Sequence, residues 1–232
     1  LLKIPEERLE GCTLIIDESA SVIKHLLTSR TLFDNRLEVL ERFELACQKC
    51  DRIILTDGHQ ADWVVGYISR LSGKAATKIE NLFKGDTPPL FFPTPEVGEP
   101  LGKFNEWYSQ QIVNSPCPAL ATDSIARAET MARLLEPLHG DGILLTAKTV
   151  TEPWAKEFLA DPDTYIRSNK PAWLIYSPTA ESGVDISIQH YFSDVFCWFF
   201  GVIGVDECLQ MSRRVRHPER ITVVCAERGF TS

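Results

Sequence analysis

The sequence lacks the features of a membrane, secreted or disulfide-rich protein. Its longest apolar run, residues 195–205, is well short of the about 20 residues that cross a bilayer. No secretory signal opens the chain. Seven cysteines are scattered along 232 residues, and an odd number cannot all pair within one chain. These absences predict a reduced, cytoplasmic protein that makes no membrane contact.

The chain is also short of positive charge. It has 24 lysines and arginines against 32 acidic residues, for a formal net charge of -8. This balance excludes a protein that binds nucleic acid by bulk charge, because the phosphate backbone would be repelled. Any contact with DNA or RNA needs a local basic patch, and the densest one lies in residues 213–220.

Only one cysteine pair has the spacing of a metal or redox motif. Cys47 and Cys50 form a single Cys-x-x-Cys, with no second pair and no histidine pair at zinc spacing. They are predicted to be two thiols near the end of a helix. Four further cysteines lie in apolar surroundings and are predicted to be small core residues: Cys12, Cys197, Cys208 and Cys225.

Strand and helix patterns alternate along the chain, which predicts a parallel α/β fold. In the first half, strands are expected at 12–16 and 52–56, and helices at 20–27, 37–50 and 61–71. In the second half we expect helices at 103–113, 125–135, 152–159 and 206–215, with strands at 119–122, 143–146, 173–176, within 190–200 and at 221–225.

A proline-rich segment separates the two halves. Five prolines fall between positions 88 and 100, a composition typical of a linker. The sequence therefore predicts a first domain at 1–84, a linker at 85–102 and a second domain at 103–232. A stiffened loop inside a single domain is the alternative.

Polar residues follow three of the predicted strands. They are Asp17-Glu18-Ser19, Thr56-Asp57 and the segment 177–185. Ligands of open parallel sheets bind at the carboxyl ends of strands. A later glutamine and arginine cluster, Gln210 to Arg216, adds side chains that meet phosphate with a planar, permanently charged fork. Together they are typical of nucleotide hydrolysis, in which an acid holds Mg²⁺, a second acid orients water, and an arginine neutralises the phosphoryl group.

In order and spacing these segments resemble the later part of a superfamily 2 helicase with two RecA-like domains. Residues 14–20 look like the Walker B segment, motif II, and 55–57 occupy the place of motif III. Residues 179–185 look like motif V, and 210–216 like motif VI, which supplies the arginine finger. The narrower resemblance is to cyanobacterial plasmid replication proteins and herpesvirus origin-binding proteins. It implies two RecA-like parallel-sheet domains, the first truncated at its N-terminus.

The resemblance implies a role for each matching residue. Asp17 would bind Mg²⁺ through water, and Glu18 would be the catalytic acid or base. The nucleotide-binding set would be Asp17, Gly183, Asp185, Gln210 and Arg213, and the finger would be Arg214 or Arg216. Nucleic-acid contacts would come from Lys148, Thr149 and Thr179. ATP and Mg²⁺ are the implied cofactors, and DNA the implied partner, with RNA or other replication proteins as further partners.

The sequence departs from that pattern in one respect that affects activity. No Gly-x-x-x-x-Gly-Lys-[Ser/Thr] phosphate loop occurs in it, and the loop is expected upstream of Leu1. We therefore expect these residues alone to hydrolyse little or no ATP. Two alternatives stay open: a non-catalytic module that binds nucleic acid or a protein, and an unrelated enzyme that uses Asp17, Asp57 and Asp185 as a metal site.

Overall fold

The computed structural model describes residues 3–58, 60–80, 90–178, 184–192 and 194–226. The chain divides into two compact units, Leu1–Leu82 and Phe83–Ser232. No helix among the described residues is long and apolar enough to cross a membrane.

The first unit is a small parallel α/β layer. Short 3-10 turns at Glu6–Arg8 and Arg30–Leu32 accompany the regular elements, which are β1 (Thr13–Ile16), α1 (Ser19–Thr28), α2 (Arg36–Lys49), β2 (Arg52–Leu55) and α3 (Asp62–Ser72). β1 and β2 pair in parallel from Thr13↔Arg52 to Ile16↔Leu55. These elements confirm the predicted strands and helices of the first half.

The helices cover one face of this two-stranded sheet. Val64 and Ile68, one turn apart on α3, pack with Ile16, Ile23 and Phe43 in a buried cluster. Alternate strand residues point to opposite faces, and the register partners Ile15 and Ile54 are 65% and 38% exposed. Parallel sheets usually bury both faces, so this pair is unusually open.

The second unit is a six-stranded, wholly parallel sheet in the order β3-β8-β7-β4-β6-β5. Its elements are β3 (Leu90–Phe91), α4 (Leu101–Asn114), β4 (Ala119–Thr122), α5 (Ile125–His139), β5 (Ile143–Leu145), α6 (Pro153–Ala160), α7 (Pro162–Asn169), β6 (Leu174–Tyr176), β7 (Asp194–Phe199), α8 (Val205–Ser212) and β8 (Arg220–Cys225). The mixed α/β fold with parallel sheets is the one that the sequence predicts.

Two differences from the predicted elements have local causes. β3 lies inside residues 85–102, which the sequence predicts to be a linker, and it pairs in parallel with β8. The short helix α7 was not predicted; the Asp161 side chain accepts the Thr164 amide at its start, and Pro162 occupies the first helical position.

The buried residues of the second unit form two apolar layers. In one layer, Tyr108 of α4 reaches across two strands, and its hydroxyl lies 3.1 Å from the Cys197 carbonyl and 3.0 Å from that of Thr222. Burial raises the pKa of Tyr108 well above its usual value, so this hydroxyl remains a proton donor. Tyr108 therefore ties α4 to both β7 and β8.

The prediction for the four apolar cysteines is right for Cys197 and partly right for Cys208, which packs against the core. Cys197, in the middle of β7, is buried, and burial raises its thiol pKa. Cys208 is half-buried, whereas Cys12 and Cys225 are exposed. Cys12 precedes β1 and Cys225 ends β8, so both lie where a strand leaves the core.

Gly142 lies directly before β5, where the backbone packs closely against the Trp173 ring. A Cβ at this position would lie 2.1 Å from the Trp173 ring, so we expect Gly142→Ala to destabilise the protein by about 1–3 kcal/mol. Gly102 on α4 has open space around it, and Gly102→Ala should be neutral or slightly stabilising. Thermal unfolding followed by tryptophan fluorescence compares them; equal midpoints would contradict the packing.

Candidate nucleotide and nucleic-acid site residues

In the first unit, the predicted motif II and motif III residues meet at the carboxyl ends of the two strands. Asp17 follows β1, and its Oδ1 accepts hydrogen bonds from the Thr56 hydroxyl at 2.6 Å and from the Glu18 amide at 3.1 Å. The Asp17 side chain is otherwise exposed. Adjacent parallel strands end on the same edge, so the chain brings the two clusters together.

A second set of contacts holds the turn that follows Asp17. The Asp57 carboxylate accepts the Ala20 amide at 3.0 Å and so caps the start of α1. Buried Ser19 donates its amide to the Thr56 carbonyl, and its hydroxyl accepts the Gln60 side-chain amide at 3.0 Å. Gln60 was not predicted. The only sign of it in the sequence is that it lies in the segment following β2. Its neighbour His59 lies outside the described residues.

Glu18 sits in a strained backbone conformation. Its φ of 47° and ψ of 51° place it in the left-handed region, which costs a residue with a side chain about 1 kcal/mol or more. Its side chain makes no capping hydrogen bond to α1, because Asp57 supplies that cap. The turn therefore leaves an exposed carboxylate beside Asp17.

In the second unit, Asp185 of the predicted motif V segment and the next residue, Ile186, contact the predicted motif VI segment. Ile186 donates its amide to the Arg214 carbonyl at 2.8 Å, and Arg216 donates its amide to the Ile186 carbonyl at 2.9 Å. This is a parallel bridge between Ile186 and Val215. Arg216 Nε also lies 2.5 Å from Asp185 Oδ1, in a salt bridge with both side chains about half exposed. Thr179 and Gly183 lie outside the described residues.

The three arginines do not continue the preceding helix. The sequence predicts a helix to residue 215, but α8 ends at Ser212 and Arg213 is its C-cap. The buried Tyr176 hydroxyl donates to the Met211 carbonyl at 2.7 Å, and Ser212 donates back to Leu209. Once its last carbonyls are satisfied in this way, the chain leaves the helix and pairs with Ile186.

The remaining predicted residues on this unit differ in how their side chains are engaged. Gln210 and Arg213 are half-buried. The Thr149 hydroxyl is used within its own turn, where it donates to the Leu144 carbonyl at 2.6 Å and accepts the Thr146 amide at 2.9 Å. Lys148 is 65% exposed and pairs with Glu129 of α5 at 2.5 Å, which lowers the pKa of that carboxyl.

Asp123, which the sequence analysis missed, joins two strand ends. It follows β4, is 7% exposed, and accepts the amides of Phe200 at 2.7 Å and Val202 at 2.8 Å. These two amides belong to the turn after β7. The signal was an acid directly after a buried strand, the same signal that identified Asp17.

The described residues contain no group of three His, Cys, Asp or Glu side chains that could hold a metal ion. Cys47 and Cys50 are buried at the end of α2, and burial raises the pKa of Cys47 to about 11. Such thiols stay protonated and poorly reactive near neutral pH. The three-aspartate metal site is also unsupported, since Asp57 caps α1 and Asp185 pairs with Arg216.

Compared by sequence, the chain matches no protein-family model and no curated protein. By structure it is similar to S. cerevisiae Dbp5 bound to RNA and ADP BeF3, with a TM-score of 0.56 and 16% identity over 93% of this chain and 54% of that chain. A Dbp5 variant with the same ligands gives a TM-score of 0.57 at 15% identity, with the same coverage. The chain spans about half the length of these neighbours.

These neighbours support the fold that the sequence predicts, parallel-sheet α/β units of the RecA-like kind. At such low identity the likeness concerns the fold alone. They give no support to the narrower resemblance to cyanobacterial plasmid replication proteins.

Asp123 and Asp185 have different partners, so alanine substitutions at the two positions should lower the free energy of unfolding by different amounts. Asp123→Ala leaves two backbone amides without an acceptor, which we expect to cost about 2 kcal/mol or more. Asp185→Ala removes a solvent-exposed salt bridge and should cost less than about 1 kcal/mol. Urea unfolding measures both. Equal costs would show that the Asp123 contacts do not organise the sheet edge.

Proposed function

We propose that this chain is part of an ATP-dependent superfamily 2 motor that acts on nucleic acid. The observation that carries the proposal is the pairing of motif segments. Asp17 contacts Thr56 within the first unit, and the Asp185 segment pairs with the arginine segment within the second. Segments predicted from separate motifs are thus in contact within their units, and the fold is the one that such motors use.

In this proposal the acids after β1 serve the phosphates of ATP. Asp17 Oδ1 is engaged by Thr56 and Glu18, and the rest of its exposed carboxylate suits a magnesium ion that keeps several of its waters. Bound Mg²⁺ would neutralise charge on the phosphoryl oxygens. Glu18 would accept a proton from the attacking water, and its fixed backbone turn would help to aim the carboxylate.

The arginine segment supplies the positive charge in this proposal. Arg214 and Arg216 flank Val215, whose pairing with Ile186 fixes the local backbone. Arg216 is neutralised by Asp185 and has to exchange that partner before it can meet a phosphate. Arg214 and Arg216 are both candidates for the arginine finger, with Gln210 and Arg213 close by in sequence.

A single strand of nucleic acid is the proposed partner. RNA is present in the Dbp5 structures that this chain is similar to, which supports RNA as a substrate. A role in plasmid DNA replication rests on the motif resemblance alone and is the narrower hypothesis. Stimulation of ATP hydrolysis by an RNA strand and by a DNA strand of equal length discriminates between them.

The catalytic roles are tested by conservative variants. Residues 1–232 alone should release little phosphate from ATP, because they hold no phosphate loop. In the protein extended upstream to include one, Glu18→Gln and Arg214→Ala should each lower kcat by about 100-fold or more, since each removes a group needed in the transition state. Phosphate release is the measurement.

Glu38→Gln is the matched control, since Glu38 lies in the first turn of α2, outside the predicted motif segments, and should leave the rate unchanged. If both Glu18→Gln and Arg214→Ala keep the normal rate, these residues do not catalyse hydrolysis. A protein that then still binds nucleic acid would be the non-catalytic module.

A further inference from the structure

Two cysteines of the first unit, Cys12 and Cys50, lie where its two strands begin. Cys12 directly precedes β1, and Cys50 is the C-cap of α2, just before β2. The Cys12 carbonyl accepts the amide of Asp51 at 3.0 Å. Because Asp51 follows Cys50 in the chain, bonded geometry keeps the Cα atoms of the two cysteines within about 8 Å of each other. The usual Cα separation in a disulfide, about 4.4–6.8 Å, falls inside this limit.

Both thiols are directed towards the same short segment. The Cys12 thiol donates to the Arg8 carbonyl, and Cys50 packs with Leu9 and Ala46 in a buried cluster. Burial raises the pKa of Cys50, and the nearby Cys12 raises it further. A charge effect of this kind needs side chains that are close in space, so the two sulfurs are neighbours.

The cysteines of the first unit differ in their access to solvent. Cys12 is exposed, whereas Cys47 and Cys50 are buried. Cys47 packs in another cluster, with Ile16 and Phe43, and burial raises the pKa of its thiol to about 11. A dissolved oxidant therefore reaches Cys12, and Cys50 is the buried thiol beside it.

We propose that Cys12 and Cys50 form a reversible disulfide when the protein meets hydrogen peroxide. The Cys12 thiolate attacks the peroxide, so that an S–O bond forms, the O–O bond breaks and hydroxide leaves, which gives a sulfenic acid. The Cys50 thiolate then attacks the Cys12 sulfur, the S–S bond forms, and the S–O bond breaks with loss of hydroxide. Each hydroxide takes up one thiol proton. Two thiols and one peroxide thus become one disulfide and two waters, with sulfur oxidised and peroxide reduced.

The disulfide ties the start of β1 to the start of β2. These strands form a two-stranded sheet with one open face, and the cross-link closes residues 12–50 into a loop that contains Asp17 and Glu18. Such a loop lowers the conformational entropy of the unfolded chain and so stabilises the first unit. The inference does not depend on the proposed function. Disulfides that form transiently in a reducing compartment are typically catalytic or redox-sensing.

The test is disulfide mapping of residues 1–232 after treatment with hydrogen peroxide. Free thiols are alkylated, the protein is digested with trypsin, and linked peptides are identified by mass spectrometry. Trypsin cleaves at Lys49, between Cys47 and Cys50, so each pairing gives its own product. Cys12 bound to Cys50 joins residues 9–24 to 50–52, whereas Cys47 bound to Cys50 joins 43–49 to 50–52. We expect the first product, and we expect dithiothreitol to remove it.

Cys225→Ser is the matched control, because Cys225 is an exposed cysteine at the end of β8 in the second unit. It should form the product that joins 9–24 to 50–52 as fully as the unmodified protein does. In Cys50→Ser, peroxide should leave Cys12 as a sulfenic acid that a dimedone probe captures. A Cys47–Cys50 product in place of the expected one, linkage only between two copies of the chain, or no linked product would overturn the proposal. A lack of dimedone capture would overturn the order of the two steps.

A second measurement compares the oxidised and reduced forms of the unmodified protein. The temperature at which residues 19–49 become susceptible to protease should be higher by about 5 °C or more in the oxidised form. Cys12→Ser should abolish this difference between peroxide-treated and untreated protein. Equal temperatures for the two forms of the unmodified protein would contradict the stabilisation of the strand pair, while the ATP hydrolysis test of Glu18 and Arg214 would stand unaffected.

Discussion

Carboxylates that accept backbone amides at the ends of strands are the interaction on which both units depend. Asp57 takes the amide of Ala20, and Asp123 takes two amides of the turn after β7. Asp163 takes the amides of Ser187 and Ile188, just beyond the motif V segment. A parallel strand ends in a turn whose amides have no ladder partner, and a charged acceptor satisfies them at short range. Asp57 in this way holds the turn that carries Asp17 and Glu18, two of the predicted site residues.

The fold could be predicted because its elements have strong local patterns. Buried parallel strands such as β4 and β7 are short apolar runs, and α5 begins with a serine cap. What the sequence did not predict depends on partners far along the chain. β3 is too short to show a strand pattern in the sequence, and it forms by pairing with β8. The arginine segment has a helical composition, but its pairing with Ile186 ends α8 early.

The sequence predicts which residue types belong to the candidate site and where along the chain they lie, but it does not predict which of them are in contact. An acid after an apolar strand identified Asp17, and the same signal was overlooked at Asp123. No local pattern shows that Asp17 bonds to Thr56 or that Asp185 pairs with Arg216, because these contacts follow from strand order and register. The contact between Arg127 of α5 and Trp198 of β7 likewise joins distant parts of the chain, which no local pattern shows.

The bridge between Ile186 and Val215 couples the predicted motif V and motif VI segments through their backbones. Because each segment donates an amide to the other, neither can shift along the chain axis without moving its partner or breaking both bonds. A displacement of the backbone at Ile186 is thereby transmitted to Arg214 and Arg216 through backbone hydrogen bonds, in addition to the salt bridge between Asp185 and Arg216. In genetic terms, we expect that a defect caused by a substitution in one segment is suppressed by a compensating substitution in the other.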